Sequence, residues 1–142
     1  MKIFLSLLLL VLSQSAVAEQ FKQIKDLEVH YSAFTSTIIP PEITRQYKIK
    51  RSGYNALINV TILDRSQVGK PAITGIVKGT AKNLLGTIKS LEFREIKEAN
   101  AVYYIAELPF VNEEIYTLKI DVSSGLKGSG NITFNQKFYT DN

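Results

Sequence analysis

Ile115-Tyr116-Thr117-Leu118-Lys119-Ile120-Asp121-Val122 sets Tyr116, Leu118, Ile120 and Val122 at alternate positions, with Thr117, Lys119 and Asp121 between them. A period of two is the repeat of an extended chain, whose successive side chains leave opposite faces. The stretch therefore predicts a β-strand with one face in a core and the other in water, the burial pattern of an antiparallel sheet. Residues 132–139 repeat it, with Ile132, Phe134 and Phe138 on one face and Thr133, Asn135 and Lys137 on the other. Between the two, Ser123-Ser124-Gly125-Leu126-Lys127-Gly128-Ser129-Gly130 is rich in glycine and predicts a loop free to take positive φ.

The same period runs back towards the N-terminus. Residues 27–34 put Leu27, Val29 and Tyr31 inward and His30 outward, and residues 56–63 put Ile58, Val60 and Ile62 on one face. Further strands are predicted over 72–82, with Gly75 and Gly79 as bends, over 87–96, and over 102–108 up to the break at Pro109. Lys22 to Asp26 reads as the lead-in to the first strand. One helix is predicted, Pro41-Glu42-Ile43-Thr44-Arg45-Gln46-Tyr47, with Pro at its start and Ile43 and Tyr47 four apart on one side. Short strands separated by turn signals every 8 to 12 residues or so are the pattern of a two-sheet sandwich. The predicted fold is all-β, an immunoglobulin-like antiparallel sandwich of seven to eight strands with at most one short helix. A small barrel shares this periodicity and stays open as the alternative.

Ahead of this domain, Lys2 precedes the apolar run 3–12, and Ala16-Val17-Ala18 supplies the small-x-small pattern of a signal-peptidase site. Residues 1–18 are expected to be a signal peptide cleaved after Ala18, leaving 19–142 as one exported domain. The apolar run is too short for a membrane span, which takes about 20 residues, so the processed chain is not expected to span a membrane. The sequence has no Cys, so stability must come from packing and backbone pairing without disulfides. Its net charge of +4 is scattered, with no basic run to follow phosphates, and nucleic-acid binding is set aside.

Catalytic supplies are thin. With one His, no Cys and Met1 as the only Met, no metal site and no cofactor is expected. A Ser-His-Asp set would need His30 with Ser32, Ser36 or Ser52 and with Asp26 or Asp64, yet no Gly-x-Ser-x-Gly elbow exists. Glu92 with Glu95, Glu107, and Glu113 with Glu114 are the available carboxylates for general acid and base work. Residues 75–80 lack the Gly-Lys-Ser/Thr ending of a phosphate loop and read as strand. Asn59 and Asn131 open Asn-x-Thr sequons on predicted strands.

The segments His30-Tyr31-Ser32-Ala33-Phe34, Ala56-Leu57-Ile58-Asn59-Val60, Gly79-Thr80-Ala81-Lys82-Asn83-Leu84, Val102-Tyr103-Tyr104-Ile105-Ala106 and Phe134-Asn135-Gln136-Lys137-Phe138-Tyr139 carry a resemblance. They resemble the family of small exported Gram-negative proteins known as domain of unknown function 4426, over nearly the whole chain after residue 18. The resemblance implies a periplasmic location and makes glycosylation of the sequons improbable. It brings no activity and no catalytic residue. The function expected is a non-enzymatic binding module for an envelope protein or ligand. Its candidate binding residues are His30, Ser32 and Ser36, with Arg51, Ser52 and Asn59 as polar neighbours, and Arg51 is suited to hold a carboxylate or phosphate at two points. The alternative is a small periplasmic hydrolase using His30 or a Glu pair as general base, and an accessory subunit of an enzyme is a third possibility.

Overall fold

In the computed structural model, which describes residues 20–140, the alternating stretches are extended and paired. The signal-peptide expectation falls on residues 1–18, outside those described. The strands are β1 (Gln20–Ile24), β2 (Leu27–Thr35), β3 (Asn55–Asp64), β4 (Ile76–Asn83), β5 (Ile88–Leu91), β6 (Arg94–Glu98), β7 (Ala101–Pro109), β8 (Glu114–Ser123) and β9 (Ser129–Phe138). A single α-helix among the described residues, α1 (Pro41–Gln46), lies between β2 and β3. No helix among them is long and apolar enough to cross a membrane.

Two antiparallel sheets form, one in the order β1-β2-β3-β7-β6 and the other β5-β4-β8-β9. Both are open, so the barrel alternative falls. Apart from β1, the order β2-β3-β7-β6 against β4-β8-β9 is the A-B-E-D and C-F-G arrangement of an immunoglobulin sandwich, with β5 added beside β4. The inward positions are those the period of two assigned. Leu27, Val29, Ile58, Val60 and Ile62 from one sheet meet Tyr116, Leu118, Ile120, Val122 and Ile132 from the other, and all are buried.

The sequence reading differs from this at three places, and the first two raise the strand count to nine from the expected seven to eight. The supposed lead-in is β1, an edge strand paired from Gln20↔Tyr31 to Ile24↔Leu27; its side chains are exposed up to Ile24, so it shows no apolar alternation to read. Residues 87–96 are two strands, β5 in one sheet and β6 in the other, because the chain crosses between the sheets at Glu92-Phe93, where Phe93 packs on the core. In residues 72–82 the strand proper begins at Ile76, and Gly75 is a point of close approach. A Cβ there would stand 2.6 Å from the Ser123 carbonyl oxygen.

The segment between β2 and β3 positions the site. Pro40 precedes α1, whose first residue is Pro41, and the Tyr47 N–H donates to the Ile43 carbonyl at 3.1 Å to close the turn. Rather than projecting from the end of the sandwich, this segment lies back over the outer face of the five-stranded sheet. There Ile39, Tyr47 and Ile49 pack with Phe34, Leu57, Ile96 and Ile105 as a second, smaller core.

Candidate functional site

The second core exists because the outer face of the sheet breaks the half-polar rule. Register pairs Phe34 with Leu57 and Asn59 with Ile105, and all of these outward positions but Asn59 carry apolar side chains where a solvated face would carry charge. The covering segment is fastened by polar side chains. The Ser36 hydroxyl, fully buried, sits 2.9 Å from the Lys50 carbonyl and 3.0 Å from that of Ser52, donating to this pair, and accepts the Ser52 N–H at 2.9 Å. Arg51 donates from Nε to the Ile39 carbonyl and from its terminal nitrogen to that of Thr37, both at 2.9 Å. The Asn55 amide donates to the Lys50 carbonyl at 2.8 Å and to Glu107 Oε1 at 2.9 Å, while Glu107 also accepts the Lys50 N–H. The result is a clasp that holds residues 36–55 against the sheet.

Under the clasped segment a recess of about 240 Å³ remains, lined by Phe34, Ile43, Leu57, Asn59, Tyr103 and Ile105 among others. Its volume is below the roughly 300 Å³ at which drug-sized ligand pockets begin, and suits a group the size of one side chain. At its rim the Tyr47 hydroxyl donates to Glu98 Oε2 at 2.9 Å, and this bond to a carboxylate raises the phenol above its usual range. In its wall the Asn59 Oδ1 is shut off from water and accepts no hydrogen bond. A buried acceptor left without a donor costs about 1–3 kcal/mol. A larger hollow of about 410 Å³ lies over Lys78, Asp121, Ser129 and Asn131 on the solvated face of the other sheet.

The residues expected at the site are distributed over three places. Asn59 lines the recess, and Ser32 stands opposite it in register on β2. Ser36, Arg51 and Ser52 form the clasp, so Arg51 spends its two-point geometry on backbone carbonyls of its own chain. His30 lies one outward step along β2 from Ser32, with its ring stacked on Phe21 at 5.3 Å. Its Nε2 is 2.9 Å from Glu28 Oε2, and Lys70 reaches the same carboxylate at 3.2 Å. The hydrogen bond from His30 holds the Glu28 carboxyl below the usual range, aided by Lys70 and opposed by burial.

The pieces of a Ser-His-Asp set are put to other uses here. The Ser52 Oγ accepts the Tyr54 N–H, and Asp64, paired in register with core-facing Leu27, is held by Lys127 at 2.6 Å. Of the carboxylates, Glu95 accepts the Tyr104 hydroxyl at 2.7 Å and Glu107 belongs to the clasp. Among the described residues no group of three or more His, Cys, Asp or Glu stands close enough to hold a metal ion. Phe34, Glu98 and Ile105 line the recess without having been named as candidates from sequence, and Tyr47 and Tyr103 join them as two of the tyrosines whose apolar face and polar tip suit a binding surface. The signal was present in the unbroken apolar runs Ala56-Leu57-Ile58 and Tyr103-Tyr104-Ile105-Ala106, which mark strands covered on both faces.

Fold and site together define a small β-sandwich with a side-chain-sized apolar recess under a clasped crossover on one sheet. The chain belongs to the family described as Domain of unknown function (DUF4426), whose model matches residues 21–141. It is similar to a crystal structure of a DUF4426 family protein from Pseudomonas aeruginosa, at 31% identity and a TM-score of 0.76, over 87% of this chain and 97% of that one. It also shares its fold with FetP of uropathogenic Escherichia coli. A copper-bound FetP variant aligns at 11% identity and a TM-score of 0.58, over 87% of this chain and 96% of that one. FetP as isolated from expression in the E. coli periplasm aligns at 11% identity and 0.57, over 88% and 96%. No curated protein matches the chain. The likeness to FetP shows the fold alone.

Proposed function

We propose that this chain is a periplasmic, non-enzymatic binding module that takes into its recess an apolar group carrying one hydrogen-bond donor, presented by an envelope protein or ligand. The carrying observation is Asn59 Oδ1, an acceptor in the wall of an apolar recess with no donor of its own. A polar atom kept in that state at a cost in stability is accounted for by a partner that supplies the donor. Ile43 and Tyr103 at the rim are partly exposed, where an incoming group would meet them. The periplasmic reading is supported by the signal-peptide pattern of residues 1–18 and by the expression of the fold neighbour FetP in that compartment. The binding residues are Asn59 with Ser32 beside it, held in place through Ser36, Arg51 and Ser52; His30 with Glu28 borders them along β2.

Ligand-observed NMR with phenol and toluene tests the donor requirement, since the two differ only in a hydroxyl exchanged for a methyl of similar size. Phenol is expected to bind with about tenfold preference or more, the worth of one satisfied buried acceptor, and N59L is expected to abolish the preference. Equal binding of the two probes to the unaltered chain would refute the reading.

A further inference from the structure

A second surface, distinct from the recess, gathers at the end of the sandwich where β4 turns into β5 and β7 into β8. Leu84 is 79% exposed, Leu85 92%, Val111 64% and Tyr139 56%. They are neighbours: Leu84, Leu85 and Val111 line one shallow hollow, and Tyr139 is brought alongside by the Thr140 N–H, which donates to Asn112 Oδ1 at 3.0 Å. The tip is a built feature. Asn83 Oδ1 accepts the N–H groups of Leu85 at 3.1 Å and Thr87 at 2.9 Å, so the turn is held with its leucines outward. None of the four side chains lines the recess.

Charge around the tip selects what covers it. Lys82 stands one residue before the turn, Lys89 donates to the Pro109 carbonyl at 2.8 Å, and the Lys137 ammonium lies 5.4 Å from the centre of the Tyr139 ring. Of the two acids in these turns among the described residues, Glu114 is engaged, accepting the Val111 N–H at 3.2 Å and the Asn83 amide at 3.3 Å; Glu113 is the other. Apolar tips ringed by lysines with a tyrosine at their edge match a bilayer interface. Leucine enters the acyl boundary, tyrosine sits at headgroup level, and long lysine stems reach anionic phosphates.

We infer that this tip docks the domain onto the surface of an anionic phospholipid bilayer, inserting Leu84, Leu85 and Val111. The chain has no Trp, so L85W places its only indole at the tip. With vesicles of phosphatidylethanolamine and phosphatidylglycerol, L85W emission is expected to shift to the blue and the protein to sediment with the lipid. Phosphatidylcholine vesicles are expected to do this far less, and added salt to reverse it. The double variant L84S, L85S is expected to lower the bound fraction at least about tenfold, and K82Q with K137Q to weaken binding to anionic vesicles alone. These side chains are exposed, so circular dichroism of the variants should match the parent. Unshifted emission and no sedimentation with either lipid overturn the inference. So does a blue shift without lipid accompanied by dimer formation in sedimentation velocity, which would make the tip a contact between copies.

Discussion

Asn59 is the residue on which stability and binding pull in opposite directions. Its Oδ1 is buried without a donor, between Leu57 on its own strand and Ile105 opposite it on β7. Replacing it by leucine, of similar size, removes the orphaned acceptor and adds apolar surface to the recess. N59L is expected to raise stability by about 1 kcal/mol in urea or thermal unfolding, while ending recognition of a donor-bearing group. The same burial bears on the sequon it opens, because a side chain in the wall of the recess is not available to a glycan. At the opposite end of the strand, Asp64 is fully buried, and bonds from Lys127 and Ser66 hold its carboxyl well below the usual 3.8. A carboxyl whose folded pKa is depressed stabilises the fold above the unfolded value and loses that contribution as pH falls through the folded one. Stability should therefore decline as pH drops below about 4. D64N should be less stable than the parent at neutral pH and show a flatter acid limb in pH-dependent melting.

Among the elements, the crossover from β2 to β3 does the most for the site. Ser36 accepts the Ser52 N–H and shares its hydroxyl hydrogen between the Lys50 and Ser52 carbonyls, so S36A leaves that N–H without its partner, while Asn55 still donates to both carbonyls. The expected cost is about 1–3 kcal/mol, accompanied by faster amide exchange in residues 36–55 and weaker phenol binding. Exchange unchanged in that segment would show that the clasp does not hold the recess. The strands that alternate cleanly, β8 and β9, were legible in the sequence because one of their faces is solvated. β1 was not, since an edge strand with exposed side chains has no apolar period to betray it. The division of residues 87–96 into two strands was hidden for another reason: a crossing between sheets depends on where Leu91 and Phe93 find the core, which no local pattern states. α1 was legible from Pro41 and from the spacing of Ile43 and Tyr47, but its resting place on the outer face of the sheet is a tertiary fact.

At the scale of the whole molecule, the sandwich followed from period and turn spacing, and the family from segments distributed along the chain. The site followed only in part. Polar residues drew notice for their chemistry, and Ser36, Arg51 and Ser52 proved to serve the backbone. The apolar lining was legible only as strands covered on both faces, because the runs Ala56-Leu57-Ile58 and Tyr103-Tyr104-Ile105-Ala106 do not state which distant segment folds over them. The central claim is that this lining, with Asn59 in its wall, is the surface that meets an envelope component. In-cell photo-crosslinking tests it most directly, with p-benzoylphenylalanine at Tyr103 on the rim of the recess or at Thr133 on the solvated face of the other sheet. A discrete adduct from Tyr103, absent at Thr133 and lost in N59L, is the predicted result; adducts from Thr133 alone, or from both positions irrespective of N59L, would contradict the account.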